Sequence, residues 1–188
     1  DLREDSAIAM LWTLGMTVGI ICCFLFPGFT PNMPPSLFGI ILTLGVSDLW
    51  LLAIIALVTG LVFVFFYRQI LSVSFDTTFA RSQGLPVGII EYGMMALIAL
   101  TIVSTLRMVG IVLAISLLTI PQMTANLFTF SMKRIILASM VIGWIDCLIG
   151  LAISYQWNVP SGASIIFVSI LIYALLKTIK WATGKLLY

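Results

Sequence analysis

The sequence predicts an all-α fold, a polytopic bundle of membrane-spanning helices, and two observations carry this prediction. Of its 188 residues, 62% are hydrophobic and only 9% are charged, and the mean hydropathy is +1.22. A soluble domain carries about a quarter charged residues, so this chain cannot cover itself with a water-facing surface. The apolar residues also form long runs without the alternation of a membrane β-barrel, which leaves helices as the spanning structure.

Composition also excludes several function classes. The net charge of +2 is too small for a nucleic-acid footprint, and the chain contains no histidine for catalysis or metal ligation. Cys22, Cys23 and Cys147 lie in apolar runs without the spacing of a zinc site or a disulfide framework. No phosphate-binding loop of the GxxxxGK[ST] type occurs, so any ATP hydrolysis must belong to a separate chain.

Six segments have the length and composition of membrane spans. The first, at 21 residues, would extend about 31 Å as a helix, which matches a bilayer core. In chain order the segments are Ser6–Phe26, Leu49–Tyr67, Val87–Leu106, Met108–Phe128, Ile135–Tyr155 and Ala163–Leu176. The last is short, but Lys177 and Lys180 can extend their amines to the interface and let the helix continue.

The basic residues predict the orientation of these spans. If Arg3 is cytoplasmic, six alternating spans place eight of the nine Lys and Arg residues on that side, and only Arg107 lies outside. By the positive-inside rule, both ends of this chain are then cytoplasmic. The chain begins without a methionine and enters an apolar run at once, so we expect it to be the C-terminal part of a longer protein.

The first outer connection is rich in proline and contains the short apolar stretch Leu37–Leu44. This stretch is too short to span a membrane, so it predicts an interfacial or re-entrant helix. Asp48 is expected to cap the span that follows.

The inner connection FDTTFARSQGLP, from Phe75 to Pro86, predicts a short helix on the cytoplasmic face. Asp76 suits an N-cap, and Thr77–Gln83 can form two helical turns after it. Gly84 suits the left-handed position that follows, and Pro86 prevents continuation of the helix. By its capping pattern alone, this helix could equally lie on lipid headgroups or dock a soluble partner.

Asp146 stands near the centre of the fifth span, where a carboxylate costs roughly 2.5–3.5 kcal/mol to insert. Ser139, Gly143, Gly150 and Ser154 share its helical face, and small residues permit close helix contact. We therefore expect Asp146 to face the bundle interior, either along a water-filled path or as a protonated or hydrogen-bonded structural group.

Pro121 interrupts the fourth span within TIPQMTAN, and Gln122, Thr124 and Asn126 place polar groups around it. Proline removes one backbone hydrogen bond, and polar broken helices occur where they line a cavity. The pattern is compatible with a broken helix that lines a cavity or with a simple packing kink.

Several motifs in fixed order resemble the permease subunits of bacterial ABC importers for zinc, manganese and iron. They are REDSAIAML at Arg3–Leu11, LFG at Leu37–Gly39, SDLW at Ser47–Trp50, FDTTFARSQGLPV at Phe75–Val87, the long run Leu97–Ala125 that ends in PQMTA, and SYQWNVPSGASI at Ser154–Ile165. The resemblance covers nearly the whole chain. Residues 1–188 are accordingly expected to form a single transmembrane permease domain that lacks its N-terminal helices.

This resemblance implies a fold related to the vitamin B12 and siderophore importers, in the cytoplasmic membrane of a bacterium. It implies two permease copies, two ABC ATPase subunits that carry the ATP, and a periplasmic or lipoprotein metal-binding protein. The chain itself would be no enzyme and would hold no permanent cofactor, only a divalent metal ion in transit. The resemblance gives Phe75, Asp76, Ala80 and Gly84 the role of coupling to the ATPase.

The resemblance also has departures. Many relatives read PAATA where this chain reads PQMTA, and family permeases often carry histidines that this chain lacks. Oxygen ligands without histidine favour a harder ion such as manganese over zinc.

On the transport hypothesis, Asp146 would contact the metal transiently, and Pro121, Gln122 and Thr124 would belong to the path or its gate. The alternative is a proton-coupled secondary transporter of a small solute, with Asp146 or Glu91 as the proton carrier.

Overall fold

The protein is all-helical in the computed structural model, which describes residues 4–25, 45–129, 131–157 and 159–185. Within these ranges, the side chains of residues 4–5, 24–25 and 183–185 are not described. The helices are α1 (Glu4–Leu25), α2 (Val46–Phe75), α3 (Thr77–Ser82), α4 (Val87–Val109), α5 (Ile111–Asn126), α6 (Met132–Trp157) and α7 (Ser161–Lys185). The predicted interfacial helix Leu37–Leu44 lies outside the described residues.

Five of the described helices are long and apolar enough to cross a membrane: α1, α2, α4, α6 and α7. The fourth predicted span corresponds to α5, which is shorter at 16 residues. α7 continues beyond Leu176 to Lys185, as the snorkelling lysines predict. The chain is therefore a multi-pass membrane protein, as its composition predicts.

α2 is longer at both ends than its predicted span. It begins at Val46, with Gly45 at the N-cap position. Asp48 caps the helix, as the sequence predicts, from the third helical position, where a carboxylate oxygen accepts the backbone N–H of Gly45 at 3.3 Å. The helix then continues eight residues past Tyr67, about 12 Å at 1.5 Å per residue. Hydropathy could not reveal this extension because Arg68 and Gln69 end the apolar run.

A single residue separates α4 from α5. Gly110 has φ +85° and ψ 161°, a backbone conformation that is essentially restricted to glycine. Its carbonyl accepts the N–H of Ala114 at 3.1 Å and so begins α5. The third and fourth spans are thus joined by a one-residue turn, and Met108 belongs to α4 rather than to the fourth span.

The described helices divide into two compact units. The first unit contains α1, α5, α6 and α7, and the second contains α2, α3 and α4 up to Met108. The expectation of a single permease domain therefore stays a prediction.

In the first unit, α7 is the central helix, since half of the residues in Ser161–Ala182 are buried and α1, α5 and α6 all contact it. The apolar core of the first unit consists of Val112, Leu113, Ile120, Met123, Ile165, Ile166, Ile170 and Tyr173. The Lys180 amine donates to the carbonyl of Leu127, just past the end of α5. The C-terminal ends of α5 and α7 therefore lie on the same side, as the predicted topology requires.

In the second unit, α2 and α4 bury little of their surface within the chain, and a small core joins their ends to α3. Large apolar side chains such as Val64, Phe65 and Ile89 are about three-quarters exposed. Apolar helix faces of this kind are suited to lipid or to other membrane helices rather than to water.

Candidate functional site

The short helix α3 begins as the sequence predicts. One carboxylate oxygen of Asp76 accepts the backbone N–H groups of Thr78 at 2.9 Å and Phe79 at 3.0 Å. Asp76 therefore satisfies two of the four N–H groups that a helix start leaves without partners. The same residue ends α2, since its own N–H donates to the carbonyl of Ser72.

The end of α3 is a Schellman motif. Gly84 has φ +75°, its N–H donates to the carbonyl of Arg81 at 3.0 Å, and the N–H of Leu85 donates to the carbonyl of Ala80 at 3.2 Å. These two hydrogen bonds require the left-handed backbone conformation at Gly84, which glycine adopts without steric cost. The predicted role of Gly84 as the helix stop is confirmed.

Ala80 anchors α3 to the long helices of its unit. Its side chain is fully buried and packs with Val73 of α2 and Val87 of α4, and Leu85 and Ile90 complete the cluster. Ala80 is therefore not exposed for a partner to contact, and its predicted role in coupling to the ATPase stays a prediction.

The exposed side of α3, together with the last residue of α2, carries aromatic side chains. Phe75 is 79% exposed and Phe79 is 55% exposed, and Arg81 is also exposed. Exposed aromatic and arginine side chains of this kind are suited to binding a partner, because aromatic residues and arginine contribute most of the binding energy at protein interfaces. The rigid caps of α3 fix the position of this surface.

Asp146 is the second candidate site, and the structure places it where the sequence predicts, in the interior of a bundle. It is fully buried on α6. One carboxylate oxygen, Oδ2, accepts a hydrogen bond from the Ser169 hydroxyl of α7 at 2.6 Å. The other, Oδ1, is buried without a hydrogen-bond partner.

Close contact between α6 and α7 encloses this carboxylate. Gly150, one turn after Asp146, approaches the backbone of Ile165 so closely that a Cβ at Gly150 would lie 2.5 Å from the Ile165 Cα. At Gly143, about one turn before Asp146, a Cβ would lie 3.8 Å from the Cγ of Pro121 in α5, an ordinary van der Waals distance. The small-residue face predicted around Asp146 is therefore a helix-packing face.

The residues around Pro121 do not form one polar surface. α5 continues as an α-helix from Ile111 to Asn126 without the predicted interruption at Pro121. Pro121 and Thr124 are buried, and the Thr124 hydroxyl donates to the Ile120 carbonyl of its own helix at 2.8 Å. Gln122 and Asn126 are exposed, so Gln122 and Thr124 do not converge on a common point.

Sequence reasoning missed Ser169 and Tyr173 of α7. Both are buried, and they lie four residues apart on one face of the helix, with Lys177 four residues further. The four-residue spacing of Ser169, Tyr173 and Lys177 was the sequence signal that could have revealed them. Among the described residues, no group of three or more cysteine and acidic side chains is arranged to hold a metal ion.

Comparison with known proteins places these features in a family. The family model described as the ABC 3 transport family matches residues 1–180. This chain belongs to the ABC 3 transport family. The match extends from α1 into α7 and so includes both candidate sites.

Individual relatives agree with this assignment. A manganese transport system membrane protein, MntC, of Halalkalibacterium halodurans is 35% identical over 93% of this chain and 60% of its own length. The manganese import system permease protein ScaB of Streptococcus gordonii is 33% identical over 92% of this chain and 62% of its own. An uncharacterized membrane protein, slr2045, of Synechocystis is 35% identical over 91% of this chain and 61% of its own.

A solved structure shares the fold. The structure of PsaBC from Streptococcus pneumoniae in complex with Fab matches with a TM-score of 0.69 and 29% identity, over 93% of this chain and 63% of that chain. The chain thus spans about three-fifths of the length of the relatives that it matches.

Proposed function

We propose that this chain is part of the permease subunit of an ATP-driven importer of divalent transition-metal ions, with manganese as the favoured ion. The observation that carries this proposal is α3, a doubly capped helix that presents two exposed phenyl rings and is anchored through Ala80. Membership of a transport family supports it. The chain would not be an enzyme, because ATP would be hydrolysed by a separate ABC ATPase subunit.

The geometry of α3 is suited to transmitting force. A movement of the partner at Phe75 and Phe79 would reach α2 and α4, since the buried Ala80 belongs to one cluster with Val73 of α2 and Val87 of α4. α2 continues as one unbroken helix from Val46 to Phe75, so it can carry that movement along its length. This is the arrangement that ATP-driven alternation between inward-open and outward-open states requires.

Manganese is favoured by two lines of support. Two relatives are named for manganese transport or import. The chain offers no histidine, and the oxygen ligands that remain suit a hard ion better than zinc. Zinc and iron are alternative cargoes that a competition experiment must separate.

The proposed assembly contains further chains. It comprises two permease copies, two ATPase subunits and a periplasmic or lipoprotein metal-binding protein that delivers the ion, all at the cytoplasmic membrane of a bacterium. Asp146 would stabilise the cation transiently. Pro121, Gln122 and Thr124 would lie along the route or its gate, although α5 must rearrange before Gln122 and Thr124 could face one ion.

The test uses the full-length protein, reconstituted with its proposed ABC ATPase subunit in proteoliposomes that are loaded with ATP, with the proposed metal-binding protein added outside. We expect ATP-dependent uptake of radioactive manganese that excess unlabelled manganese suppresses more strongly than zinc or iron. Uptake that persists without ATP and collapses with the proton gradient would contradict the proposal and favour a secondary transporter.

Two substitutions at Gly84 test the coupling role. A side chain there would meet no atom within 4 Å, so only the backbone conformation opposes it. In Gly84→Val, the valine must adopt the left-handed backbone conformation at a cost of about 1–2 kcal/mol. In Gly84→Asn, the asparagine adopts this conformation more readily. We expect Gly84→Val to lower uptake while ATP hydrolysis continues, and Gly84→Asn to keep most of the uptake. Equal uptake by both variants would contradict the coupling role.

The transit role of Asp146 has its own test in the same vesicles. Asp146→Asn keeps the size of the side chain and removes the charge. We expect manganese uptake to fall, and unchanged uptake would remove Asp146 from the route.

A further inference from the structure

The hydroxyl of Ser169 in α7 has a different partner from the other buried hydroxyls of the described residues. Serine and threonine in a helix commonly donate to a carbonyl of the preceding turn, which satisfies them without a neighbour. The buried side chains that do so here are Thr13, Thr17, Ser116, Thr124 and Ser164. The Ser169 hydroxyl instead donates to another helix, to Oδ2 of Asp146 at 2.6 Å. Its sequence partner 23 residues away therefore defines what this serine does.

The hydrogen bond from Ser169 determines the orientation of the Asp146 carboxyl group. The torsion that rotates a carboxyl group has broad energy minima, so the aspartate side chain does not fix it by itself. Because both oxygens belong to one planar group, a partner at Oδ2 also fixes the direction of Oδ1. Oδ1 is buried and has no hydrogen-bond partner among the described residues. The contact thus holds one oxygen and leaves the other as a free acceptor.

The packing of α6 against α7 holds the two side chains at a constant separation. Gly150 lies one turn after Asp146 and Ile165 lies one turn before Ser169, so the two contacts are neighbours along antiparallel helices. A Cβ at Gly150 would lie 2.5 Å from the Cα of Ile165, which shows how closely the backbones approach. Ser169 itself is 1% exposed. Its hydroxyl is therefore a fixed donor rather than one that moves with a surface side chain.

A fixed orientation matters for a carboxylate that contacts a divalent cation. Groups that hydrogen-bond a metal ligand fix the direction of its donor atom, and their loss typically weakens metal binding about 10–100-fold. Carboxylate oxygen also suits a hard ion such as Mn²⁺. In Asp146, Oδ1 is the oxygen whose acceptor capacity is unused.

From these contacts, we propose that Ser169 is a positioning residue for metal transport, whose hydroxyl holds Oδ2 of Asp146 so that Oδ1 contacts the divalent cation in transit. Ser169 acts through Asp146 and does not touch the ion. This inference rests on the proposed function, because it needs a cation that reaches Asp146. Oδ1 is enclosed in the present conformation, so it meets the ion only when the surrounding helices rearrange during transport.

The experiment measures binding of Mn²⁺ to the full-length protein, assembled with its proposed ABC ATPase subunit in lipid nanodiscs. Electron paramagnetic resonance reports the concentration of free Mn²⁺, so a titration gives the dissociation constant. Asp146→Asn identifies the part of the binding that depends on this carboxylate. The same variants in proteoliposomes give the KM and the maximal rate of ATP-dependent Mn²⁺ uptake.

Ser169→Ala removes only the hydroxyl. We expect the dissociation constant for Mn²⁺ and the KM for uptake to rise about tenfold, while the maximal rate changes little. Ser164→Ala is the matched control, because it removes a buried hydroxyl of the same helix that donates to the Pro160 carbonyl at 3.3 Å. We expect both constants to stay unchanged in this control.

A conservative variant tests whether the hydroxyl itself is responsible. Ser169→Thr keeps the donor, and we expect it to bind Mn²⁺ nearly as tightly as the unchanged protein. Should the added methyl group prevent folding, Ser169→Cys replaces the hydroxyl by a weaker donor of similar size. Its dissociation constant should then lie between those of the unchanged protein and Ser169→Ala.

The outcomes separate positioning from a purely structural role. If Ser169 only stabilised the fold, Ser169→Ala would lower the unfolding temperature and the maximal rate, and its dissociation constant would equal that of the Ser164→Ala control. That result, or the absence of Mn²⁺ binding that depends on Asp146, would overturn the positioning role. Binding that is sensitive to both Asp146 and Ser169 without any ATP-dependent uptake would count against the transport proposal alone.

Discussion

The contact between α6 and α7 at Gly150 gives the sharpest prediction about stability. In Gly150→Ala, the new Cβ would lie 2.5 Å from the Cα, 2.9 Å from the backbone N and 2.6 Å from the Cγ1 of Ile165. Two of these three atoms belong to the backbone and cannot rotate away. The helices must therefore move apart, which also stretches the 2.6 Å hydrogen bond between Ser169 and Asp146 one turn away.

The magnitude follows from two opposing terms. Overpacking of a tight contact costs about 1–3 kcal/mol, and backbone contacts place Gly150→Ala at the upper end of that range. Replacing a helical glycine by alanine returns up to about 1 kcal/mol of helix stability. We therefore expect a net loss of about 2 kcal/mol in the free energy of unfolding.

Gly143→Ala is the matched control on the same helix. A Cβ there would lie 3.8 Å from the Cγ of Pro121, an ordinary contact, so only the gain in helix stability remains. We expect the purified full-length protein in detergent to unfold at a lower temperature with Gly150→Ala and at an equal or higher temperature with Gly143→Ala. Tryptophan fluorescence during heating gives both midpoints.

Adding Ile165→Ala to Gly150→Ala refines this test. The second substitution removes the Cγ1 contact but leaves the Cα and N contacts, so we expect only partial recovery of the midpoint. Equal midpoints for Gly150→Ala and Gly143→Ala would refute the reasoning, because they would show that α6 and α7 are not in close backbone contact.

Three further predictions concern the second unit and the turn that follows it. Asp76→Ala removes the acceptor of two backbone N–H groups, which costs about 1 kcal/mol of helix stability. We therefore expect faster hydrogen exchange of the backbone amides in α3. Asp76→Asn can still cap the helix and should change the exchange rate little. Ala80→Leu overpacks a fully buried site, which costs about 1–3 kcal/mol and should lower the unfolding temperature. Ser82→Leu is the control at an exposed position of the same helix. An equal fall in unfolding temperature in both variants would contradict the anchoring role of Ala80. Gly110→Ala forces an alanine to adopt φ +85°, which costs about 1–3 kcal/mol and should reduce the yield of folded protein. In the control variant Gly88→Ala, the new Cβ would meet no atom within 4 Å, so we expect the yield to stay unchanged.

The sequence by itself predicts those features that depend on neighbouring residues. α3 is the clearest case: Asp76, Ala80, Gly84 and Pro86 lie within eleven residues, and the capping hydrogen bonds all form within that segment. The predicted helix Thr77–Gln83 differs from the observed Thr77–Ser82 by one residue. The apolar runs likewise predict the existence of the long helices, because the cost of exposing backbone groups to lipid depends on local composition.

Composition alone does not predict where the helices end when their ends leave the membrane. α2 continues from Tyr67 to Phe75 because Ile70 and Val73 are buried, and Val73 packs against Ala80 and the start of α4. These contacts join residues that are separated by a turn and a second helix. Hydropathy, which reports the preference of each residue for lipid, carries no information about them.

Only the tertiary structure decides what surrounds each polar group. The sequence indicates that Asp146 faces inward, but its partner Ser169 is 23 residues away on another helix, and the pair meets because Gly150 lets α7 approach. Gln122 and Thr124 appear together in the sequence, yet the helix turns one outward and the other inward. An apolar helix tolerates many rotations about its axis in lipid, and the fit of small residues against a particular neighbour selects one of them.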